Sequence, residues 1–528
     1  MIKTDLVLPY GYTRGDVTDA ICARLPISAP EIGEVRILRR ELRIEDGKRP
    51  TYKMSVAFSS DIEKEKGLLK IRNKVSAFDE QPFSVPKSRF EKRPIVVGSG
   101  PAGLFAALTL AESGACPIVL ERGLDVEERA KKIQLFSTLG LLDTECNVQF
   151  GEGGAGTYSD GKLKCGSRDR YKTKVLDEFI DGGADESIAF SSSAHLGTDK
   201  LPKIVKHVRN KIISLGADFI FSAKFVGFSI KDGHLDSISY EKAGEMITLE
   251  CDTLILATGH SARDTVTMLK ENGLPMTAKS FGIGMRIEHP REYIDRIVYR
   301  DAAKMIEESA SYHLVTHLPS SRSVYSFCMC PGGEVVAATS EECAIVTNGM
   351  SEYARRADNS NAAILVSVVP DDFGSDDPLA GIALQRKIER AAYEISESYK
   401  APSVRLADLL SGVATASQGV HPSYPIGTVD ASPYDYMPEY IPDSITHAMP
   451  NFDAWLPGYN FGEAVLTGPE TRTTSPIKIE RGDDGCAVGY DGIYPAGEGA
   501  GYAGGIISSA VDGIKMAEMA VLKHINDN

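Results

Sequence analysis

The sequence has little tryptophan, few cysteines and no long apolar segment. Its 528 residues include one tryptophan and nine cysteines, and its net charge at pH 7 is −15. No window approaches the about 20 consecutive apolar residues that cross a bilayer. The first residues also lack the basic and then apolar pattern of a signal peptide. We therefore expect a cytoplasmic protein with no membrane partner.

The cysteines do not form a pattern of their own. Apart from Cys328 and Cys330 they are scattered, and no CxxC…CxxC or CxxC…HxxxH spacing is present. Such a distribution argues against both a secreted disulfide framework and a zinc site. We predict mostly reduced, structural thiols and no metal. Cys343 is close enough in sequence to Cys328 and Cys330 to leave one alternative open, a three-thiol ligand set.

Charge is distributed unevenly along the chain. Residues 1–93 carry 19 Lys and Arg against 14 Asp and Glu, whereas the other 435 residues carry 39 against 59. This asymmetry predicts a separate N-terminal module, a small α/β domain over 1–90. The overall acidity argues against nucleic-acid binding. The basic strand residues of the module leave an alternative, contact with RNA or an acidic protein, beside the simpler interpretation of a solvated sheet face.

The pattern of the N-terminal module predicts its elements. A strand is expected near Leu6–Leu8, a helix from its N-cap Thr13 to Arg24, and a second helix near Glu63–Lys74. Between the helices, VRILRRELRI and TYKMSVAF alternate as the strands of a hairpin. The dipeptide Asp46-Gly47 is a strong signal for the turn that joins them.

A dinucleotide-binding pattern follows Arg93-Pro94. The apolar strand IVV runs into Gly98-Ser99-Gly100-Pro101-Ala102-Gly103, a helix follows, and a second strand ends at Glu121-Arg122. In such a unit the three glycines permit a tight turn, a close approach to pyrophosphate and close helix–sheet packing. The helix N-terminus favours phosphate, and Glu121 can accept hydrogen bonds from ribose hydroxyls.

A second glycine-rich segment lies near the end of the chain. In GIYPAGEGAGYAGGIISSAVDG an apolar strand is followed by Gly497-Glu498 and a turn that opens a helix from about Gly505. This segment resembles FAD-dependent oxidoreductases, in which a late Gly-acid pair holds the ribityl chain and pyrophosphate. Those proteins usually carry Asp where this chain has Glu498. LILATGH, with Thr258 and Gly259, resembles another of their flavin-domain motifs.

Further motifs narrow the resemblance. NVQFGEGGAGTYSDGKL, HLGTDKL, ATGHSARDT, FCMCPGGEVV, NGMSEYARR and ETRTTSPIKI together resemble a bacterial and plastid family of uncharacterised FAD-dependent dehydrogenases, over residues 94–528. That family is distantly akin to flavoproteins with an inserted substrate domain. The resemblance implies FAD and an α/β fold with a Rossmann-like FAD-binding domain split by a cap. The expected segments are 91–263, which contains a β-meander, the cap 264–475, and the return segment 476–528.

The cofactor-binding candidates follow from these motifs. The glycine-rich loop adds backbone that can approach the pyrophosphate and flavin ring, and Lys162 adds a charge to balance phosphate or reduced flavin. Val226 lies where related flavoproteins make a backbone contact to adenine. The predicted set is Gly98, Gly100, Pro101, Ala102, Gly103, Glu121, Arg122, Gly153, Gly154, Gly156, Lys162, Val226, Thr258, Gly259, Gly497, Glu498, Gly504, Gly505 and Ile506.

Catalytic candidates must lie near the flavin, since the cofactor performs the hydride chemistry itself. His260 can act as an acid or base near neutral pH, and Arg263 can bind an anionic substrate. The alternative is a structural junction in which His260 caps a helix and Arg263 pairs with Asp264. Arg472 is a further candidate, because its segment leads back towards the flavin domain.

The pair Cys328 and Cys330 is the remaining candidate. If SVYSFCMC is a regular strand, both side chains lie on one face. Their Cα atoms are then about 6.5–7 Å apart, at or beyond the usual limit for a disulfide. We therefore expect pocket-lining thiols, with a redox-active pair as the alternative.

The sequence thus predicts an FAD-dependent oxidoreductase that acts on a small organic substrate between flavin and cap. Because one complete GxGxxG unit is visible, the electron donor is left open between NAD(P)H bound transiently, a separate protein and the substrate itself. The alternative function is a flavin-containing binding or sensing protein that docks RNA or a protein through its N-terminal domain.

Overall fold

The computed structural model describes residues 1–45, 47–71, 73–79, 82–163, 169–415 and 419–527. The N-terminal elements are β1 (Ile2–Pro9), α1 (Arg14–Arg24), β2 (Val35–Arg43), β3 (Thr51–Phe58), α2 (Ile62–Leu68) and β4 (Val75–Ala77). They form an antiparallel sheet in the order β2-β3-β1-β4. Its core is separate from those of the other sheets and includes Ile2, Ile21 and Phe58.

The structure confirms the predicted N-cap and hairpin of this domain. Thr13 caps α1 by accepting a hydrogen bond from the Asp16 amide, and β2 pairs with β3. Asp46 of the predicted turn lies outside the described residues. The second helix was predicted too long, because α2 ends at Leu68 and the chain returns to the sheet as β4, which pairs with β1.

The next elements run from residue 95 to residue 256. They are β5 (Ile95–Val97), α3 (Pro101–Ser113), β6 (Ile118–Leu120), α4 (Val126–Leu139), α5 (Arg170–Asp181), α6 (Leu201–Ser214), β7 (Asp218–Ile220), β8 (Lys224–Lys231), β9 (His234–Lys242), β10 (Glu245–Glu250) and β11 (Leu254–Leu256). Strands β8, β9 and β10 form the predicted antiparallel meander.

The elements that follow build a second large sheet. They are α7 (Arg263–Glu271), β12 (Met276–Ala278), β13 (Phe281–Pro290), α8 (Arg291–Tyr299), β14 (Val315–His317), β15 (Ser323–Cys330), β16 (Glu334–Ala337), β17 (Thr347–Met350), β18 (Asn359–Val368), α9 (Ala380–Glu394), β19 (Ala401–Arg405), α10 (Leu406–Ser411), β20 (Thr428–Asp430), α11 (Tyr440–Trp455), β21 (Val465–Glu470) and β22 (Ile477–Ile479). The sheet order is β14-β15-β18-β13-β21-β19-β20. All neighbours are antiparallel except β19 and β20, so this region differs from a parallel α/β layer.

The chain then returns to the first large sheet through β23 (Ile493–Pro495) and α12 (Ile506–Asp527). Strand β23 completes a parallel sheet in the order β23-β11-β5-β6-β7. Helix α12 packs closely on α3, since a Cβ at Gly513 would overlap the Ala102 carbonyl. The fold is mixed α/β. Among the described helices, none is long and apolar enough to span a membrane.

Candidate cofactor and substrate site

A cavity of about 950 Å³ lies at the carboxyl ends of β5, β6 and β11. In sheets of parallel strands, ligands bind at these ends. One wall consists of the glycine turn after β5, residues 257–262 after β11 and the start of α12. The opposite wall includes residues 311–313 and 326–329 from the seven-stranded sheet and its connections.

Two helices begin at this cavity. Helix α3 has Gly100 as its N-cap and Pro101 as its first residue, and within the described part of the chain no side chain caps it. Helix α12 begins at Ile506, and both Gly505 and Ile506 line the cavity. Unpaired N–H groups and the positive end of a helix dipole favour a negatively charged ligand.

The predicted glycines serve two different purposes. Gly98 has a φ of 95°, and a Cβ there would overlap the carbonyl oxygen of Ala257, while a Cβ at Gly103 would overlap the carbonyl of Gly98. These two positions are therefore required for the tight turn and for helix–sheet packing. Gly98 also lines the cavity, as do Gly100 and Gly154, and a Cβ at Gly154 would lie 3.0 Å from the Gly100 Cα.

Most of the predicted cofactor residues line the cavity, and four do not. Pro101, Ala102, Glu121, Arg122, Gly156, Lys162, Thr258, Gly259, Glu498 and Gly504 lie in the lining with those named above. Gly103, Gly153, Val226 and Gly497 lie behind it. Near Val226 the lining is formed by Ala223, Lys224 and Phe225.

Glu121 is already held by the protein. Its carboxylate accepts hydrogen bonds from the Ser99 amide at 2.9 Å, the Ser99 hydroxyl at 2.7 Å, and the amides of Gly123 and Gly151 at 2.9 and 3.1 Å. These four donors use the capacity of both oxygens. Glu121 thus joins the glycine turn to the glycine-rich loop, and a ribose hydroxyl would have to share an oxygen with them.

Arg122, the residue after Glu121, pairs with acidic residues of two other segments. Its guanidinium donates to both oxygens of Asp264 at 2.9 and 3.0 Å and to Glu145 at 2.8 Å. Lys224 also pairs with Asp264 at 2.7 Å. The alternative in which Arg263 pairs with Asp264 is therefore wrong.

Glu498 differs from Glu121 in having no partner. Its side chain lines the cavity and makes no hydrogen bond with any described residue. Burial raises its pKa to about 7, although the charge of Lys279 opposes this effect. A partly protonated carboxyl group facing a cavity can accept or donate a hydrogen bond to a hydroxyl-bearing ligand. Together with the two helix starts and the glycine cradle, it fits the ribityl and pyrophosphate portions of FAD.

His260 lines the cavity in a neutral form. Burial lowers its pKa to about 4, and the charges of Arg472 and Arg263 add to this effect. Its Nδ1 lies 3.1 Å from the Ser261 hydroxyl, which donates to Gln149. The expected acid–base role near neutral pH does not fit this pKa, and the residue does not cap α7, whose N-cap is Ala262.

Arg263 and Arg472 share a single buried carboxylate, Glu389. Arg263 donates to its two oxygens at 2.8 and 2.7 Å, and Arg472 donates at 3.0 and 3.2 Å. Glu341 adds a contact to Arg263 at 3.0 Å. Arg263 is 1% exposed and lies behind the cavity wall, so the expected substrate contact does not fit its placement. Arg472 does line the cavity.

Strand β15 is not regular at the two cysteines. Phe327 pairs with Ala363 and Cys330 pairs with Asn361, so a bulge separates them. Cys328 has a φ of 41° in this bulge. Bulges interrupt the alternation of side chains, and the prediction that both cysteines lie on one face of a regular strand is therefore wrong. Cys328 lines the cavity, whereas Cys330 is fully buried behind it.

Two buried ion pairs brace the wall around this bulge. Arg286 pairs with Glu470 at 2.5 Å, and Arg355 pairs with Asp160 at 2.5 Å. The paired residues are 184 and 195 positions apart. No local pattern of the sequence assigns the partners of Arg286 and Arg355.

Several lining residues carried no recognisable signal in the sequence. Ser311, Tyr312, His313, Ser326 and Asn348 belong to the cap side of the cavity. Asn348 is the first residue of the motif NGMSEYARR, whereas the other four lie outside the motifs of the sequence. The exposed Cys343 lies near Tyr393 and Tyr399 and does not line this cavity.

The N-terminal domain contacts two segments that lead into the cavity. The Arg40 amide donates to Phe190 at 2.7 Å, and Ser192, which lines the cavity, donates to Arg40 at 2.9 Å. Tyr10 and Tyr52 donate to Glu308 at 2.5 and 3.1 Å, shortly before the lining residues 311–313. Part of the edge of β2 is therefore paired within the chain.

Comparisons with known proteins also indicate an FAD-dependent protein. A family model described as "FAD-dependent protein, C-terminal domain-like" matches residues 280–473. A curated protein from Clostridium beijerinckii, described as uncharacterized, is 43% identical over 512 residues, which cover 95% of each chain.

Two solved structures are similar at low identity. One is a geranylgeranyl bacteriochlorophyll reductase-like protein from Thermoplasma acidophilum, 12% identical, covering 83% of this chain and 80% of that chain with a TM-score of 0.35. Another is a 3-ketosteroid dehydrogenase from Rhodococcus jostii, 12% identical, covering 84% and 99% with a TM-score of 0.34. TM-scores of this size do not establish a shared fold.

Proposed function

Because the chain belongs to a family of FAD-dependent proteins, we propose that it oxidises or reduces a small organic substrate held between FAD and the seven-stranded sheet. Its cofactor is FAD. The observation that supports this proposal best is the cavity itself. One wall combines the start of α3 with Glu498, for which the described residues provide no side-chain cap and no hydrogen-bond partner, and the other wall carries polar residues of the cap.

The proposed domain division follows the chain path. Residues 91–263 and 476–528 supply the strands of the parallel sheet and constitute a Rossmann-like FAD-binding domain. Residues 264–475 constitute the inserted cap, and residues 1–90 the N-terminal domain. This division is supported by β23, which joins β11 in the parallel sheet after more than 200 intervening residues.

The groups proposed to bind FAD are mainly backbone groups at helix starts and in the glycine turn. The start of α3 and the turn at Gly98–Gly103 bind the pyrophosphate, while Glu498 holds a ribityl hydroxyl. The start of α12 and Lys162 offset negative charge on the reduced ring. FAD supplies hydride and electron transfer when bound, and the chain orients the substrate and excludes water.

We infer that the substrate lies on the cap side of the cavity. Arg355 and Asn348 line that side, and Arg355 is fixed by its bond to Asp160. Lys162 lies between the two walls and donates to the Met329 carbonyl. These groups favour a substrate with carbonyl or carboxylate oxygens.

Anaerobic mixing of the purified protein with NADH, and separately with NADPH, tests the function and the electron donor. Rapid loss of flavin absorption with either nucleotide would establish a nicotinamide-linked reductase. Absence of bleaching with both, followed by bleaching with an organic reductant from a substrate panel, would establish a substrate dehydrogenase. A protein that takes up no FAD on reconstitution would contradict the proposal.

No structural observation favours the alternative of an RNA- or protein-docking sensor. The paired part of β2 is used for contacts within the chain. Deletion of residues 1–88 separates the two functions, because a docking module would be lost without affecting flavin reduction. We expect instead that the deletion changes substrate turnover, since the domain holds two segments of the cavity rim.

A further inference from the structure

Cys328 occupies a strained position that its surroundings hold in place. A φ of 41° is uncommon for a residue with a side chain and strains the backbone. The Cys328 carbonyl accepts hydrogen bonds from Arg286 at 2.8 Å and from the Cys330 thiol at 3.2 Å. These two donors fix the bulge, and the bulge places Cys328 in the cavity wall.

The charges around Cys328 favour a thiolate. Arg286 is fully buried with its Nη1 3.9 Å from the Cys330 sulfur, and Lys162 holds the adjacent Met329 carbonyl. The neighbouring Cys330 thiol lowers the pKa of Cys328, and the charges of Arg286 and Lys162 add to this effect. Burial and the charge of Asp160 oppose it. Burial also raises the pKa of Cys330, which therefore stays a neutral donor.

Cys328 also lies near the proposed flavin site. It is close enough to Glu498 to raise the pKa of that carboxyl group, and both residues line the same cavity. Glu470, which pairs with Arg286, is the other carboxylate that its charge affects. A thiol placed between the cap wall and a cofactor-binding acid can contact a substrate that lies on the flavin.

We propose that Cys328 is a catalytic residue that takes a proton from, or returns one to, the substrate carbon next to a carbonyl group. This inference rests on the proposed function. In oxidation, a carbon two bonds from the carbonyl gives its hydride to FAD, and the carbon next to the carbonyl gives its proton to the Cys328 thiolate. The products are an α,β-unsaturated carbonyl compound, reduced flavin and a thiol, and reduction is the reverse.

The substrate class follows from the base. A thiolate of lowered basicity removes protons only from activated carbon, and a carbonyl group provides that activation. Cys330 acts as a positioning residue, because it donates to Cys328 from behind the wall. This role requires no disulfide, so the oxidised protein is expected to take up about two electrons per flavin.

Alkylation with iodoacetamide tests the thiolate without any substrate. Peptide mass spectrometry follows Cys328, Cys330 and the exposed Cys343 in the same sample as the pH is varied. We expect Cys328 to react at a lower pH than Cys343, and Cys330 to react slowly throughout. In Lys162→Met the reaction of Cys328 should move to higher pH. Reaction of Cys328 only in the pH range of an ordinary thiol, near 8.5, would overturn the proposal.

Reoxidation of the reduced, FAD-loaded protein by 2-cyclohexenone tests the catalytic step. Cys328→Ala should retain FAD but slow reoxidation about 100-fold or more, the usual contribution of an acid or base. Cys343→Ala is the matched control and should leave the rate unchanged. An unchanged rate in Cys328→Ala, or no reoxidation of the parent protein, would overturn the assigned role. Failure to bind FAD at all would instead contradict the proposed function, and the alkylation result would still stand.

Discussion

The two walls of the cavity are built in opposite ways. On the flavin side, glycines and helix starts leave the backbone accessible, and Glu498 has no partner among the described residues. On the cap side, buried arginines are matched with carboxylates: Arg286 pairs with Glu470 of the cap, and Arg355 pairs with Asp160 of the segment 91–263. The first wall is suited to binding a charged ligand. The charged groups of the second wall are paired with other groups of the protein, so this wall provides a rigid surface.

Removal of a shared carboxylate should have the largest effect on this arrangement. In Glu389→Gln, Arg263 and Arg472 lose their common charged partner, and loss of one member of a buried ion pair typically costs about 3–5 kcal/mol. The free energy of unfolding of the FAD-free protein, measured in urea, reports this change. The exposed Glu342→Gln is the control and should remain within about 0.5 kcal/mol of the parent. Equal stability of the two variants would show that the cap wall does not depend on its ion pairs.

Substitutions in the flavin wall, the wall that contains the glycine turn after β5 and the start of α12, should weaken FAD binding rather than destabilise the fold. A Cβ at Gly100 makes only an ordinary contact, 3.7 Å from the Gly154 Cα, but a leucine there would extend into the cavity. We expect Gly100→Leu to weaken FAD binding at least about 100-fold, which is roughly 2.7 kcal/mol. Fluorescence titration with FAD measures this loss. Gly67→Leu, at a position with open space, is the control.

The same contrast explains what the sequence could predict. The flavin wall is local in sequence, since a strand, three glycines and a helix lie within 20 residues, and their spacing is dictated by the backbone. Two features of the flavin wall were not predicted. The Glu121 carboxylate already accepts hydrogen bonds from the protein, and Val226 is not part of the cavity lining. The cap wall depends on pairs nearly 200 residues apart and on a bulge in β15, and neither leaves a local pattern.

His260 lies in the first wall of the cavity, and its protonation provides a smaller test. Its pKa of about 4 in the folded protein is below the ordinary value of about 6.5. Between these values the unfolded chain binds a proton that the folded protein does not. The contribution of His260 to stability is therefore fully present above about pH 6.5 and is lost as the pH falls towards 4. His260→Asn should flatten this slope, by about 1–3 kcal/mol over the window, in unfolding experiments on FAD-free protein. A slope equal to that of the parent would mean that His260 is not held neutral.

The N-terminal domain should produce the smallest effect. Glu308→Gln weakens the bonds from Tyr10 and Tyr52 but keeps a neutral oxygen acceptor, so the expected loss of stability is about 1 kcal/mol or less. If the domain positions the cavity rim, the variant should raise KM while leaving FAD affinity unchanged. A change in FAD affinity and none in KM would place its influence on the flavin wall instead.

An experimentally determined structure of the FAD-loaded protein tests the central claim most directly, since that claim concerns where the cofactor lies between the two walls. We predict the pyrophosphate at the Gly98–Gly103 turn, a ribityl hydroxyl bonded to Glu498, and the flavin ring between the start of α12 and the bulge at Cys328. A flavin ring bound outside this cavity, or with Cys328 and the cap residues turned away from it, would contradict the account.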